Sequence, residues 1–344
     1  MRIALDATYS VDPHPSGIAI YSREMLSGLA QTFPADEFLH CYRLKTLKGA
    51  SRPAFGNVQK CILLPPLKTF RADLFHALNQ RVDRRAAKRV VSTFHDLFVM
   101  TGDYSSPDFR ARFTAQARRA AQNSDFLIAV SEFTANQVHS LLDFDRSRIR
   151  VVPHGVHQRT CGFAAARENI ILFVGALQRR KNVLRLIEAF ESSPQDWRLV
   201  LAGATTGYQA ERILERIERS SRRDRIQVAG YVSSSELEQL YSRASIFAFP
   251  SLDEGFGLPV LEAMAYGLPV ITSRCSALTE VAGDAAILID PNDTEELRFA
   301  LDRLIENPEE RMRLSELGCA RARLYSWDRA VRSTHAVYVE LLTV

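Results

Sequence analysis

Two glutamates eight positions apart, Glu254 and Glu262, stand in the run Ser251-Leu-Asp-Glu-Gly-Phe-Gly-Leu-Pro-Val-Leu-Glu-Ala-Met264. The apolar stretch Ile246–Phe249 ahead of them reads as a strand, and Gly255, Gly257 and Pro259 read as a tight turn opening a helix. The amides of Phe256, Gly257 and Leu258 then lie at a helix start, where unpaired donors and the helix dipole attract a phosphate. Glu262, one turn further in, is placed to accept the two vicinal hydroxyls of a ribose, while Glu254 lies in the turn itself. Two solvated surface charges are the plain alternative, but the surrounding Phe, Gly, Leu, Pro and Val speak against it. Gly255-Phe-Gly257 begins like a dinucleotide fingerprint, yet Val260 occupies the third glycine position, which counts against a dehydrogenase.

Other segments also end a strand and open a helix, the place where doubly wound sheets take ligands. Phe173-Val-Gly-Ala-Leu-Gln-Arg-Arg-Lys-Asn182 carries Gly175 for a sharp turn and Arg180 and Lys181 beside free amides, which suits a diphosphate; a solvated basic loop is the alternative. At Gly230-Tyr-Val-Ser-Ser-Ser-Glu236 the backbone of Tyr231 and Val232 is placed to pair with a base edge, or the segment is only a capped helix, with Ser233 and Glu236 as a capping box. Gly267–Arg274 reads as structural. His95-Asp96 follows the strand Val90–Thr93 and points into a crevice, as catalytic chemistry or as a loop hydrogen bond. Asp143-Phe-Asp145 matches the carboxylate pair of metal-dependent transferases but lies at a helix end, and reads as surface.

These segments need a scaffold of alternating strands and helices. Arg2–Asp6, Phe38–Tyr42, Val58–Leu64, Asp73–His76, Val90–Thr93, Phe126–Val130 and Ile149–Val152 read as strands in the first half, with a Pro13–Gly17 loop, a helix carrying Ile18, Tyr21, Met25 and Leu29, and helices at about 106–123 and 132–142. The pattern restarts at Ile170–Gly175 after the irregular stretch Val156–Glu168. The expected class is α/β, two Rossmann-like doubly wound domains facing across a crevice. Residues 1–158 are expected to form an N-terminal domain, 159–326 a C-terminal domain, and 327–344 a helix packing back on the first.

Bulk properties narrow the class. The chain has 344 residues, 46% hydrophobic and 24% charged, as in ordinary globular proteins. Residues 1–155 hold 21 Lys and Arg against 14 Asp and Glu, or +7, which leaves −3 for the rest of a chain of net +4. Much of the excess lies in Arg81–Arg89 and Arg110–Arg119, either a solvated face or a contact with anionic lipid. Five scattered cysteines without a Cys-x-x-Cys pair imply reduced thiols and no zinc site. No signal-like leader and no long apolar run is present, so the expected location is cytoplasmic, peripheral at the membrane's inner face if the basic surface functions.

Taken in order, Asp6-Ala7, Ser16-Gly-Ile18, Phe94-His-Asp-Leu97, Val130-Ser-Glu-Phe-Thr134, Val151-Val-Pro-His-Gly155, Val174–Asn182, Leu201-Ala-Gly203, Gly230-Tyr-Val232 and Pro250–Ala265 resemble the retaining glycosyltransferases of family 4, which have the GT-B fold. The resemblance implies that Glu262 holds the donor ribose and Glu254 the hydroxyls of the transferred sugar. Lys181 neutralises the diphosphate with Arg180; the family's arginine directly after the glycine is Ala176 here, and Arg179 is the other candidate. Gly17 lets the first loop approach the phosphates, and His95 approaches the donor sugar. His154 stands where members often have Asn. The implied activity is metal-free transfer of a hexose from a nucleotide sugar to a saccharide or lipid-linked acceptor in cell-surface polysaccharide or glycan synthesis, with no other cofactor and no nucleic-acid partner. The Asp6 and Gly17 loops resemble mannosyl-type members and point to GDP-mannose, with a UDP-linked donor as the alternative. A GT-B epimerase and a catalytically silent nucleotide-binding protein are the rival classes.

Overall fold

The computed structural model describes residues 1–12, 16–50, 54–64, 70–159 and 167–343. Pro13 and Pro15, in the first loop, and most of the 156–168 stretch lie outside these. The chain divides into two units. Unit 1 begins with β1 (Arg2–Asp6), α1 (Gly17–Thr32), β2 (Glu37–Tyr42), β3 (Val58–Ile62), β4 (Leu74–Ala77) and β5 (Arg89–Phe94). It continues with α2 (Phe98–Thr101), α3 (Pro107–Gln122), β6 (Phe126–Ala129), α4 (Glu132–Leu142) and β7 (Ile149–Val151). All seven strands are parallel, in the order β3-β2-β1-β4-β5-β6-β7. Alternation along β1 sends Ile3 and Leu5 to one core and Ala4 to another, so both faces of the sheet are covered and the strands read as unbroken apolar runs.

Unit 2 runs β8 (Ile170–Val174), α5 (Val183–Phe190), β9 (Arg198–Ala202), α6 (Ala210–Glu218), β10 (Ile226–Gly230), α7 (Ser234–Arg243) and β11 (Ile246–Phe249). After these come α8 (Leu258–Ala265), β12 (Val270–Ser273), α9 (Ser276–Ala282), β13 (Ile287–Ile289), α10 (Thr294–Glu306) and α11 (Pro308–Ala322). Its parallel order is β10-β9-β8-β11-β12-β13. The Ser233–Glu236 capping box opens α7.

A last helix, α12 (Trp327–Thr343), belongs to unit 1. Its buried positions Trp327, Ala330, Val331, Thr334, Val337, Tyr338 and Leu341 recur every three or four residues, one apolar stripe that packs with Tyr21, Met25 and Leu29 of α1. Arg150 and Glu340 pair across the same unit. Unit 1 therefore comprises 1–101, 107–155 and 326–344, and unit 2 comprises 102–106 and 156–325. The break falls at Gly155 rather than at 158, and the short excursion 102–106 has no signal in hydrophobic periodicity. Asp143 is the left-handed cap of α4 and Asp145 caps the next turn, both exposed, as local turn chemistry requires. Cys41, Cys61 and Cys275 are free thiols. Cys319 is disulfide-bonded, a correction to the expectation of reduced thiols throughout. No helix among the described residues is long and apolar enough to cross a membrane.

Candidate functional site

In unit 2 the sheet order reverses between β8 and β11, and the loops leaving these two strands carry the predicted charges. The Gly175 amide bonds the Ala202 carbonyl (2.8 Å), and a Cβ at Gly203 would lie 2.1 Å from the Gly175 oxygen. Only glycine at 203 lets the ends of β8 and β9 approach this closely. Residues Arg179–Lys181 then form one 3-10 turn, closed by Asn182 in the left-handed region (φ 58°), which asparagine tolerates. The Asn182 amide donates to the Pro250 and Pro291 carbonyls (3.0 and 2.7 Å), pinning this turn against the loops after β11 and β13.

That turn delivers Arg180 and Lys181 to Glu254. Arg180 Nη1 lies 2.8 Å from one carboxylate oxygen and Lys181 Nζ 2.6 Å from the other, with all three side chains buried. Ser251 donates a further hydrogen bond to Glu254 Oε1 (2.6 Å), and Lys181 sits over the Phe249 ring. The Glu254 amide donates to Ser276 Oγ (3.1 Å). Burial alone raises the Glu254 pKa, but the two cations outweigh it and bring it down to about 2, so the group is ionised at any working pH. Arg179 does not join this triad. It pairs with Asp103 (2.6 Å), which separates the two diphosphate candidates.

Gly257 caps α8 at φ 98°, a backbone that disfavours any other residue, and a Cβ there would lie 2.6 Å from Leu278. Leu258 is the first helical residue and Pro259 the second, one position later than the sequence suggests. The first amides of α8 have no acceptor within the helix. Phe256 is buried against the edge of Tyr325. Glu262 accepts a hydrogen bond from Tyr241 of α7 (2.9 Å), whose ring stacks on Tyr266. Burial pushes the Glu262 carboxyl up to about 7, with the Tyr241 hydroxyl opposing that rise. Beyond β10, Tyr231 is exposed and Val232 half-buried, with the Gly230 carbonyl held by the Gly203 amide (2.7 Å).

In unit 1, His95 leaves β5 buried and fully engaged. Its Nε2 bonds the Leu78 carbonyl (2.9 Å) and must carry the proton, so Nδ1 accepts from His154 Nε2 (3.4 Å). Tyr21 packs edge-on against His95. Burial lowers the pKa of both histidines, His95 to about 4, and keeps them neutral. Gly17 is the first residue of α1, and nothing lies within 4 Å of a Cβ built there, so no packing contact demands glycine.

Sequence reasoning missed several groups. Ser276, Tyr241 and Asn182 each act through a partner more than twenty positions along the chain, and Ser251, three residues before Glu254, carries no charge to mark it. At the ends of β1 and β4, where unit 1's order reverses, Asp6, Asn79 and Gln80 are buried. Asp6 Oδ2, both amide atoms of Asn79 and Gln80 Oε1 have no hydrogen-bond partner among the described residues. Such atoms each cost on the order of 1–3 kcal/mol.

Residues 162–320 match the family described as "Glycosyl transferases group 1" and residues 37–159 match "Glycosyltransferase Family 4". The O-antigen chain mannosyltransferase B of Escherichia coli is 28% identical over 79% of this chain and 75% of its own length. The MMP alpha-(1->4)-mannosyltransferase of Mycolicibacterium hassiacum is 31% identical over 66% of this chain and 56% of its length. In structure, sucrose-phosphate synthase from Thermosynechococcus elongatus superposes with a TM-score of 0.82 at 21% identity, covering 100% of this chain and 99% of that one. HepE of Anabaena, solved in complex with UDP and glucose, gives 0.74 at 17% identity, over 99% and 100%. At these identities the structural likeness establishes the GT-B fold of two parallel-sheet Rossmann-like units.

Proposed function

We propose, from the premise that this chain belongs to the group 1 and family 4 glycosyltransferases, that it is a retaining hexosyltransferase using a nucleoside-diphosphate sugar. The observation that carries this reading is the buried triad of Glu254, Arg180 and Lys181 beside the start of α8. Two buried cations beside the α8 amides suit the diphosphate. Tyr231 and Val232 take the base, Glu262 the ribose, Phe256, Gly257 and Leu258 the phosphates through their amides, and Glu254 the hydroxyls of the sugar.

In the transfer step the acceptor oxygen bonds C1 on the face that the diphosphate leaves, as the C1–O bond to phosphate breaks. A diphosphate oxygen takes the acceptor's proton, so no protein nucleophile is assigned. Charge on the leaving group is met by Arg180, Lys181 and fixed amides, with no metal required. The mannosyltransferase relatives and the Asp6 and Gly17 loops favour GDP-mannose over a UDP sugar. In unit 1, the atoms of Asp6, Asn79 and Gln80 that have no hydrogen-bond partner among the described residues favour a hydroxylated saccharide ligand. The exposed Arg112, Arg118 and Arg119 of α3, away from its buried Ala117, Ala120 and Ala121, favour contact with an anionic membrane surface on the cytoplasmic side.

The test is calorimetric binding of GDP and UDP in EDTA, then transfer from GDP-mannose to a mannoside with the anomeric configuration read by NMR. Metal-dependent binding, or an inverted product, overturns the reading.

A further inference from the structure

Unit 2 offers one more ligand-sized space. Past the Glu254 loop, the ends of β11, β12 and β13 surround a cavity of about 730 Å³, within the size range of small-molecule sites. Leu252, Cys275 and Asp290 come to it from the loops after these three strands, and Tyr104 comes from the 102–106 excursion. The cavity adjoins the triad through covalent neighbours on both sides. Leu252 precedes Glu254 by two residues and its amide donates to the Arg180 carbonyl (2.8 Å), and Cys275 precedes Ser276, which holds the Glu254 amide.

Sheet order gives this position its meaning. From β10 through β8 and β11 to β13, the carboxyl edge carries in turn Tyr231 and Val232, then Arg180 and Lys181, then Glu254, then the cavity. A donor laid base-first along that edge ends its sugar at Glu254, and the cavity is the next place along. Two ion pairs border it, Arg179 with Asp103 (2.6 Å) and Arg274 with Glu296 (2.5 Å), and Asp290 and Asp293 add two more carboxylates. The lining thus holds four carboxylates against two guanidiniums, which disfavours a phosphate. No set of three metal-ligating side chains is present among the described residues. Paired charges with spare lone pairs and N–H groups suit many neutral hydroxyls, and the Tyr104 ring offers an apolar face.

We propose that this cavity is a subsite for neutral sugar residues of the acceptor, on the side of Glu254 opposite the nucleotide, a role that rests on the donor-site reading above. An oligosaccharide then binds better than its single terminal sugar.

The test uses the full chain with GDP present and compares methyl α-mannoside, α-mannotriose and mannose 6-phosphate by saturation-transfer NMR and calorimetry. Tyr104→Ala removes the ring. Asp290→Asn removes a charge while keeping the oxygen that accepts from the Asn292 amide (2.8 Å), so the turn is preserved. The expected result is trisaccharide binding about ten-fold tighter than the methyl mannoside, weakened about five-fold by either variant, with GDP affinity within about two-fold of wild type. Equal affinity for the two neutral sugars, no trisaccharide binding, no effect of both variants, or a preference for the phosphorylated sugar overturns the subsite. Failure of the wild-type chain to bind either GDP or UDP breaks the donor reading instead, and the two failures are separable because nucleotide and saccharide are titrated independently.

Discussion

The two units share a sheet design but equip their reversal points in opposite ways. At β8 and β11 the loops bring together a buried anion and two buried cations, each with a charged partner. At the ends of β1 and β4 unit 1 buries Asp6, Asn79 and Gln80 with atoms that have no hydrogen-bond partner among the described residues, and its buried His76 and His95 are kept neutral. Burial raises the Asp6 pKa despite its Thr8 hydrogen bonds, whereas in unit 2 cations bring Glu254 down to about 2. The same edge of the same architecture carries ion-paired charge beside the proposed diphosphate in unit 2, and polar atoms without a hydrogen-bond partner among the described residues in unit 1. The fold supplies the place, and the loop residues decide the chemistry.

The contrast is broken most directly by Glu254→Gln. Transfer is expected to fall by about 10²–10³-fold, yet nucleoside diphosphate affinity should hold or rise, because Arg180 and Lys181 lose their protein anion. The variant is also expected to melt earlier, since two buried cations lose the carboxylate they share. A fall in nucleotide affinity measured by calorimetry would show that the triad is structural only.

Next in size, Glu262→Ala is expected to weaken nucleotide binding about ten-fold, the loss of a charge-assisted hydrogen-bond pair. A smaller, sharper effect comes from pH. Burial pushes the Glu262 carboxyl up to about 7, and in the proposed site its ionised form is the one that accepts both ribose hydroxyls. Nucleotide affinity should therefore rise as pH climbs through about 7 and fall below it. Tyr241→Phe removes a hydrogen bond that lowers this pKa, so the midpoint should move upward. A binding profile flat from pH 6 to about pH 8, or a midpoint unmoved by Tyr241→Phe, removes Glu262 from the ribose site.

The smallest effect belongs to unit 1. Asn79→Leu replaces unpartnered amide atoms by an apolar group of similar size and should stabilise the protein by about 1 kcal/mol while raising the acceptor KM. Destabilisation in thermal denaturation would show that the amide has a partner in solution.

Much of this was legible in the amino-acid order. Strands such as Ile246–Phe249 and the glycine-rich start of α8 announce themselves through apolar runs and turn residues, because those signals are local. Glu254, Lys181 and Glu262 were nameable for the same reason. What escaped were partnerships: Lys181 and Glu254 are 73 positions apart, and nothing local says that they touch. The choice between Arg179 and Arg180 turned on Asp103, which no periodicity links to unit 2. Tyr241 sits in an ordinary amphipathic helix, and only the crossing of α7 and α8 makes it a partner of Glu262.

The late position of α12 has a consequence for synthesis. The α1 face carrying Tyr21, Met25 and Leu29 is complete once β1 to β7 have been made, but the helix that covers it follows the 170 residues of 156–325. At roughly 5–20 residues per second that interval is roughly 8 to 35 seconds. Throughout it the apolar face of α1 lacks the helix that later covers it with Trp327 and Tyr338.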